Sequence, residues 1–176
     1  MRQTLFPRRR GFTLLELLIV ITIVAVVVAV GLPRFESAFD VQIKSAIRKL
    51  IGTVRYSFYE SAIRKGYYRL FYDIDNQGYY VRRLASTGEF IQGDSTLVTD
   101  EKLPEGIYFT DVVTLHSGKE DKGAPFTQFF PNGFAELTVI HLRDDYGAQY
   151  TLLVQPLTAR VEVYDRYVDF SEGQMQ

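Results

Sequence analysis

Hydrophobic and polar positions alternate in three different ways along the chain. From Phe12 to Leu32 the residues are apolar almost without a break, and Glu16 is the only ionisable side chain among them. About twenty apolar residues at 1.5 Å each cross the ~30 Å hydrocarbon layer as a helix. Arg8-Arg9-Arg10 stands before the run, and Lys/Arg stay on the cytoplasmic side. The pattern therefore predicts a transmembrane helix over 12–33, with its N-terminus inside and the remainder exported. Gly31-Leu32-Pro33 closes the run. Proline lacks an amide and crowds the turn before it, so a kink is expected at Pro33.

The second pattern covers 34–66. Phe35, Phe39, Ile43, Ile47, Leu50 or Ile51, Val54, Phe58 and Ala62 recur every three or four residues, with Arg34, Glu36, Asp40, Lys44, Arg48, Lys49, Arg55 and Glu60 between them. This is an amphipathic helix with one apolar stripe. Gly52 interrupts it, as a bend or a point of close approach. Gly66 is the expected left-handed residue just past its end. A stripe of this length needs a partner, and the following domain is expected to supply it.

From Tyr67 the period becomes two. Tyr67–Ile74 and Tyr79–Leu84 flank Asp75-Asn76-Gln77-Gly78 as a hairpin. Phe90–Ile91, Ile107–Val113, Phe126–Phe130, Phe134–Leu142, Tyr150–Gln155 and Arg160–Tyr167 read as further strands. The stretch from Ser117 to Pro125 reads as a mobile loop, and Ser171–Gln176 as a loose tail. Short joints between the last three runs predict an antiparallel meander. The fold class is α+β: a long N-terminal transmembrane and amphipathic helix packed on an antiparallel β-sheet domain over 67–176.

Candidate chemistry is sparse. The sequence holds no cysteine, so disulfides and thiolate ligands are excluded. His116 and His141 are the only histidines, and could join Asp111 or Asp144 around a metal. No HxH or HExxH spacing supports that, and a lone strand histidine more often serves a hydrogen bond. Asp144-Asp145, Asp73 and Asp75 fall in turns, where carboxylates usually face solvent. No nucleophile elbow or phosphate-binding glycine loop occurs. A membrane-anchored enzyme is accordingly the least supported class, with no catalytic residue, cofactor or metal expected.

Arg-Arg-Gly followed by Phe12-Thr13-Leu14-Leu15-Glu16 resembles the processing site of type IV pilins and type II secretion pseudopilins. The resemblance implies that prepilin peptidase removes the leader 1–11 by cutting after Gly11 and methylates Phe12. It places Glu16 at the family's glutamate and Pro33 at its helix-kink proline. A cleaved secretory signal has an apolar core of only about 7–15 residues. A plain signal anchor leaves an intramembrane carboxylate without a task. Here the new amine of Phe12 would meet Glu16 of a neighbouring subunit, setting the register between them.

Loss of the leader removes Arg2, Arg8, Arg9 and Arg10. Lys+Arg then falls from 20 to 16 against 21 Asp+Glu, a formal charge of −5. That sign argues against nucleic acid as a partner.

The stretch Phe130-Pro131-Asn132-Gly133, Leu142-Arg143-Asp144-Asp145-Tyr146-Gly147 and Pro156-Leu157-Thr158-Ala159-Arg160-Val161 resembles the C-terminal half of the GspH/FimT pseudopilin domain. Ala159 stands where that family often has glycine, which implies a turn without a positive φ. The combined resemblance implies a minor pseudopilin, anchored once in the inner membrane with its domain in the periplasm. Its partners would be prepilin peptidase, other major and minor pseudopilins, the inner-membrane assembly platform and the lipid bilayer. A FimT/FimU-like minor pilin of a type IV pilus, linked to DNA uptake, is the alternative within the class. Arg82-Arg83 is a short basic stretch for that purpose.

Overall fold

The computed structural model describes residues 12–31, 33–92 and 100–170, with side chains described outside 29–40. The chain divides into two compact units, residues 1–41 and 42–176. In the first, α1 runs Leu14–Gly31, 18 residues long. It is shorter than the expected 12–33, because Phe12 and Thr13 precede its first turn. Its apolar residues lie on every side of the axis, so α1 has no polar face. The second helix, α2, runs Pro33–Ile63. Pro33 is its first residue, where a missing amide costs no helical hydrogen bond. Gly11 and Leu32 lie outside the described residues.

In the second unit α2 buries Ile43, Ala46, Ile47, Leu50 and Val54 on one face. The stripe continues through Thr53, Ser57 and Ser61 rather than the expected Ala62. Small hydroxyl residues let the sheet come close, and each satisfies its own oxygen. Thr53, Ser57 and Ser61 donate to the carbonyls of Lys49 (3.2 Å), Thr53 (2.8 Å) and Phe58 (2.7 Å). Gly52 is exposed, and a Cβ there would touch nothing within 4 Å. It is therefore not a point of close approach. At the C-terminus Lys65, not Gly66, takes the left-handed conformation (φ 52°), and the Gly66 amide bonds Ser61 O at 3.1 Å. The glycine supplies the residue after the reversal instead of the reversal itself.

Two antiparallel sheets follow. The first is built on the hairpin β1 (Tyr68–Asp73) and β2 (Gly78–Leu84), in register from Tyr68↔Arg83 to Asp73↔Gly78. Strands β3 (Phe90–Gln92) and β4 (Glu101–Lys102) add to β2. The second sheet takes β5 (Ile107–Thr114), β6 (Gly118–Glu120), β9 (Thr138–Asp144), β10 (Gln149–Val154) and β11 (Val161–Tyr164), in the order β11-β10-β9-β5-β6. Between them in sequence, β7 (Phe126–Phe130) pairs with β1, and β8 (Phe134–Ala135) with β7, extending the first sheet.

Two expectations are corrected. The stretch 117–125 is not merely a loop, since β6 pairs with β5 from Val112↔Glu120 to Thr114↔Gly118. Its polar sequence hides it, and charged residues suit an edge strand. The run 134–142 is not one strand: β8 ends in the first sheet and β9 begins in the second. The break falls at Glu136, whose amide bonds Gln128 O at 2.8 Å. The meander expected of the last three runs is present as β9–β10–β11, while β5 pairs with β9 and β1 with β7 across long sequence gaps.

The inner faces of both sheets and the buried face of α2 share one core, which includes Leu50, Leu70, Tyr72, Phe129, Ile140, Leu142 and Leu152. Ala159 belongs to it, fully buried at φ 47°. The expectation of a turn without positive φ is thus wrong. The turn is fixed by Ala159 N on Gln155 O (2.9 Å) and Gln155 N on Arg160 O (2.9 Å), and the methyl fills core space that glycine would leave empty.

Candidate functional site

At the head of α1, Thr13 is the N-cap. The Glu16 amide donates to Thr13 Oγ1 at 3.2 Å and the Leu17 amide to Thr13 O at 3.1 Å. Thr13-Leu14-Leu15-Glu16 is the S/T-x-x-E arrangement that opens helices, a signal the hydrophobic pattern had hidden. It gives Glu16 a local task, since an anion in the first turn faces the positive end of the helix dipole. Phe12 lies immediately outside, 78% exposed, so an amine created there would sit beside the same helix end. Further along, Thr22 Oγ1 donates to Leu18 O at 2.8 Å, which satisfies the one hydroxyl in the middle of the apolar run.

The chemically weighed residues of the second unit sort into structural roles. His141 and Asp111 are the pair that comes together, His141 Nδ1 on Asp111 Oδ1 at 2.6 Å, both buried. They lie in one cross-strand row, Asp111↔His141↔Thr151↔Tyr164, on the face of the second sheet away from the main core. Residues 165–170 run across this row. Val168 O accepts from His141 Nε2 at 3.0 Å, and the Thr151 hydroxyl bonds Arg166 O (2.8 Å) and the Val168 amide (2.9 Å). The Tyr167 ring stacks on His141 at 3.9 Å, and its hydroxyl reaches Asp111 Oδ2 at 3.2 Å. Burial alone pushes the Asp111 carboxyl up. The His141 hydrogen bond and charge, the Lys119 charge and the Tyr167 hydroxyl outweigh it and hold the group below its ordinary value.

His116 is engaged elsewhere, with Nδ1 on Glu136 Oε1 at 2.7 Å and its ring on Phe126 at 4.3 Å. Asp144 is buried, not a solvated turn residue as expected. Its Oδ1 accepts the amides of Tyr146 (2.9 Å) and Ala148 (2.8 Å) and so shapes the β9–β10 turn. Asp145 remains exposed beside it. Asp73 accepts from the Asn76 amide at 3.0 Å inside the first hairpin. Arg82 is committed to Asp100 through two bonds of 2.8 and 2.9 Å. Among the described residues no three His, Cys, Asp or Glu side chains are grouped to hold a metal.

Residues 6–32 match the family model of the prokaryotic N-terminal methylation motif. The fold of the remainder is that of a minor pseudopilin. Two solved structures of the minor pseudopilin EpsH, from the type 2 secretion system of Vibrio cholerae, are similar to this chain. One superposes with a TM-score of 0.56 at 12% identity, over 70% of this chain and 96% of that one. The other gives 0.59 at 11% identity, over 73% and 98%. No curated protein matches the chain by sequence. One chain thus joins a prepilin-type N-terminus to a pseudopilin-type α+β domain.

Proposed function

We propose that this chain is a minor pseudopilin of a type II secretion system, a structural subunit without catalytic activity. The observation that carries the reading is the methylation motif at 6–32 standing ahead of an EpsH-like fold. Prepilin peptidase cuts between Gly11 and Phe12 and methylates Phe12. The subunit rests in the inner membrane through its N-terminal helix, with the second unit in the periplasm, and then enters a short filament with other major and minor pseudopilins on the inner-membrane assembly platform.

The physics of α1 supports this. Among the described residues no helix is long and apolar enough to cross a membrane. At 18 residues α1 reaches about 27 Å, just under the ~30 Å hydrocarbon layer. Its large apolar residues from Leu14 to Val28 are nonetheless about half exposed or more. A helix apolar all round is stable only in lipid or among other helices. Glu16 then pairs with the methylated amine of a neighbour's Phe12 as the lipid is left behind.

Mass spectrometry of the protein purified from its native membrane tests the reading. A mature chain starting at Phe12 and one methyl group heavier is expected. Glu16→Ala should still be cut and methylated but fail to enter filaments. A retained Met1, or full incorporation of the Glu16 variant, would overturn the processing or the pairing respectively.

A further inference from the structure

The first sheet has a face turned away from the core, and among the described residues it carries aromatic rings and arginines. Phe71 stacks on Tyr80 at 5.1 Å and meets Phe126 at 5.3 Å, which in turn meets His116. At the β7–β8 end this face deepens into a groove of about 640 Å³. Phe126, Phe130, Phe134, Leu115, Leu137 and Pro156 make its walls. The volume suits one or two large side chains. Leu115 and Phe134 stand 63% and 43% exposed at the rim.

One cation lies in this apolar setting. The Arg69 guanidinium is sandwiched between the rings of Phe90 (3.9 Å) and Phe126 (4.1 Å). Its Nε donates to the neutral Gln128 Oε1 at 2.8 Å. Among the described residues no carboxylate is within ion-pair distance of it. Glu136 lies close enough to favour the charge through space, yet its oxygens already accept from the His116 ring (2.7 Å), the His116 amide (3.2 Å) and the Gln128 amide (3.4 Å). Burial disfavours the Arg69 charge and lowers its pKa. The rings fix the plane of the guanidinium, so its remaining N–H groups are oriented in advance for a bidentate acceptor. Pre-oriented arginine beside aromatic walls is the composition of protein-interface hot spots.

We propose that this groove is a docking site for a segment of another protein that presents an aromatic side chain next to a carboxylate, the ring seated among Phe130, Phe134 and Leu115 and the carboxylate on Arg69. Charge complementarity selects this occupant. An all-apolar segment would leave the Arg69 charge desolvated without compensation, and a polyanion would leave the apolar walls unfilled. The inference does not depend on cleavage or on the filament role.

The test uses the full chain in phosphatidylcholine nanodiscs and dye-labelled octapeptides followed by anisotropy. The peptides differ only at their centre: Phe-Phe-Asp-Glu, Phe-Phe-Asn-Gln or Ser-Ser-Asp-Glu. The first should bind saturably, and each of the others about tenfold more weakly or worse, as expected for loss of one charge-assisted bidentate contact or of the ring. Arg69→Gln should bring the acidic peptide down to the level of its amide counterpart, while Arg160→Gln on an exposed turn changes nothing. Phe134→Ser, at the rim and outside the core, should weaken both Phe-containing peptides, and it keeps the test open should Arg69→Gln fold poorly. Equal binding of the acid and amide peptides, or no saturable binding at all, overturns the proposal. So does Arg69-dependent binding of a single-stranded oligonucleotide in place of the peptide, or an Arg69-dependent self-association with no peptide binding.

Discussion

Leu18 and Leu50 are both helical leucines, the first in α1 and 64% exposed, the second in α2 and 0% exposed. Leu50 has its partners in the same chain, from β1, β5, β9 and β10 through the shared core. Leu18 sits on a helix whose apolar surface points in all directions, so no single packed face can cover it. Exposure here distinguishes a helix that holds a domain together from one whose stability is decided by its surroundings. The sequence pattern already separates them, since α1 has no polar face and α2 has one.

The largest effect should come from this contrast. Leu50→Ala leaves a cavity in a packed interior and should cost the second unit about 2–5 kcal/mol in denaturant unfolding. Leu18→Ala should leave that unfolding curve within about 0.5 kcal/mol of the parent. Equal losses would show that the two helices share one stability.

Next is the row under residues 165–170. His141→Ala removes the ring between Asp111 and Val168 O and should cost about 1–3 kcal/mol by unfolding at pH 7. The sign with pH follows from the depressed Asp111 carboxyl. Its contribution is fully present above the unfolded value of about 3.9 and is lost as pH falls through the lower folded value. Asp111→Asn should therefore flatten the acid side of the stability profile and leave its neutral-to-alkaline form alone. An unchanged acid limb would remove Asp111 from the account.

A smaller effect concerns the cap. Thr13→Ala should weaken the first turn of α1 by about 1 kcal/mol, read as lower helicity in micelles, and Thr13→Ser should restore it. If Glu16 served only the cap and dipole, Glu16→Gln would behave like the parent in filament entry, so the pair of substitutions separates local from intermolecular duty. The smallest effect has the opposite sign. Gly52 lies exposed in α2 with open space around it, and Gly52→Ala should stabilise the second unit by about 0.5–1 kcal/mol. A loss instead would indicate that the glycine serves a contact made only in assembly.

What could be read from residues alone divides along similar lines. The apolar run and strands such as β7 and β10 are legible as unbroken stretches, while the stripe of α2 and strands such as β1 and β5 follow from periodicity, because each buries a near-regular set of positions. The partition into two sheets does not, because β1·β7 and β5·β9 pairing depends on residues far apart in sequence. Phe134–Leu142 looks continuous in hydrophobicity, and only the bond of the Glu136 amide to Gln128 marks where it changes sheets. β6 was illegible since Gly118-Lys119-Glu120 has no apolar member. Lys65 and Ala159 show the limit of reading glycines as the sole left-handed residues: both take a positive φ in turns closed by local backbone bonds. At the candidate site, Gly11, Phe12 and Glu16 were legible as a linear motif, whereas Arg69 and Glu136 carry no local pattern and are brought to one groove only by the fold.

The stitching of residues 165–170 over the second sheet has a consequence for how the domain is born. Thr151 and His141 donate to the carbonyls of Arg166 and Val168, and Phe170 packs edge-on against Tyr164 at 5.9 Å in a small cluster with Leu137, Val139 and Leu153. The sheet's outer layer is therefore finished only by residues that follow its last strand. A chain released before Val168 is made leaves the polar row of Asp111, His141 and Thr151 open to water.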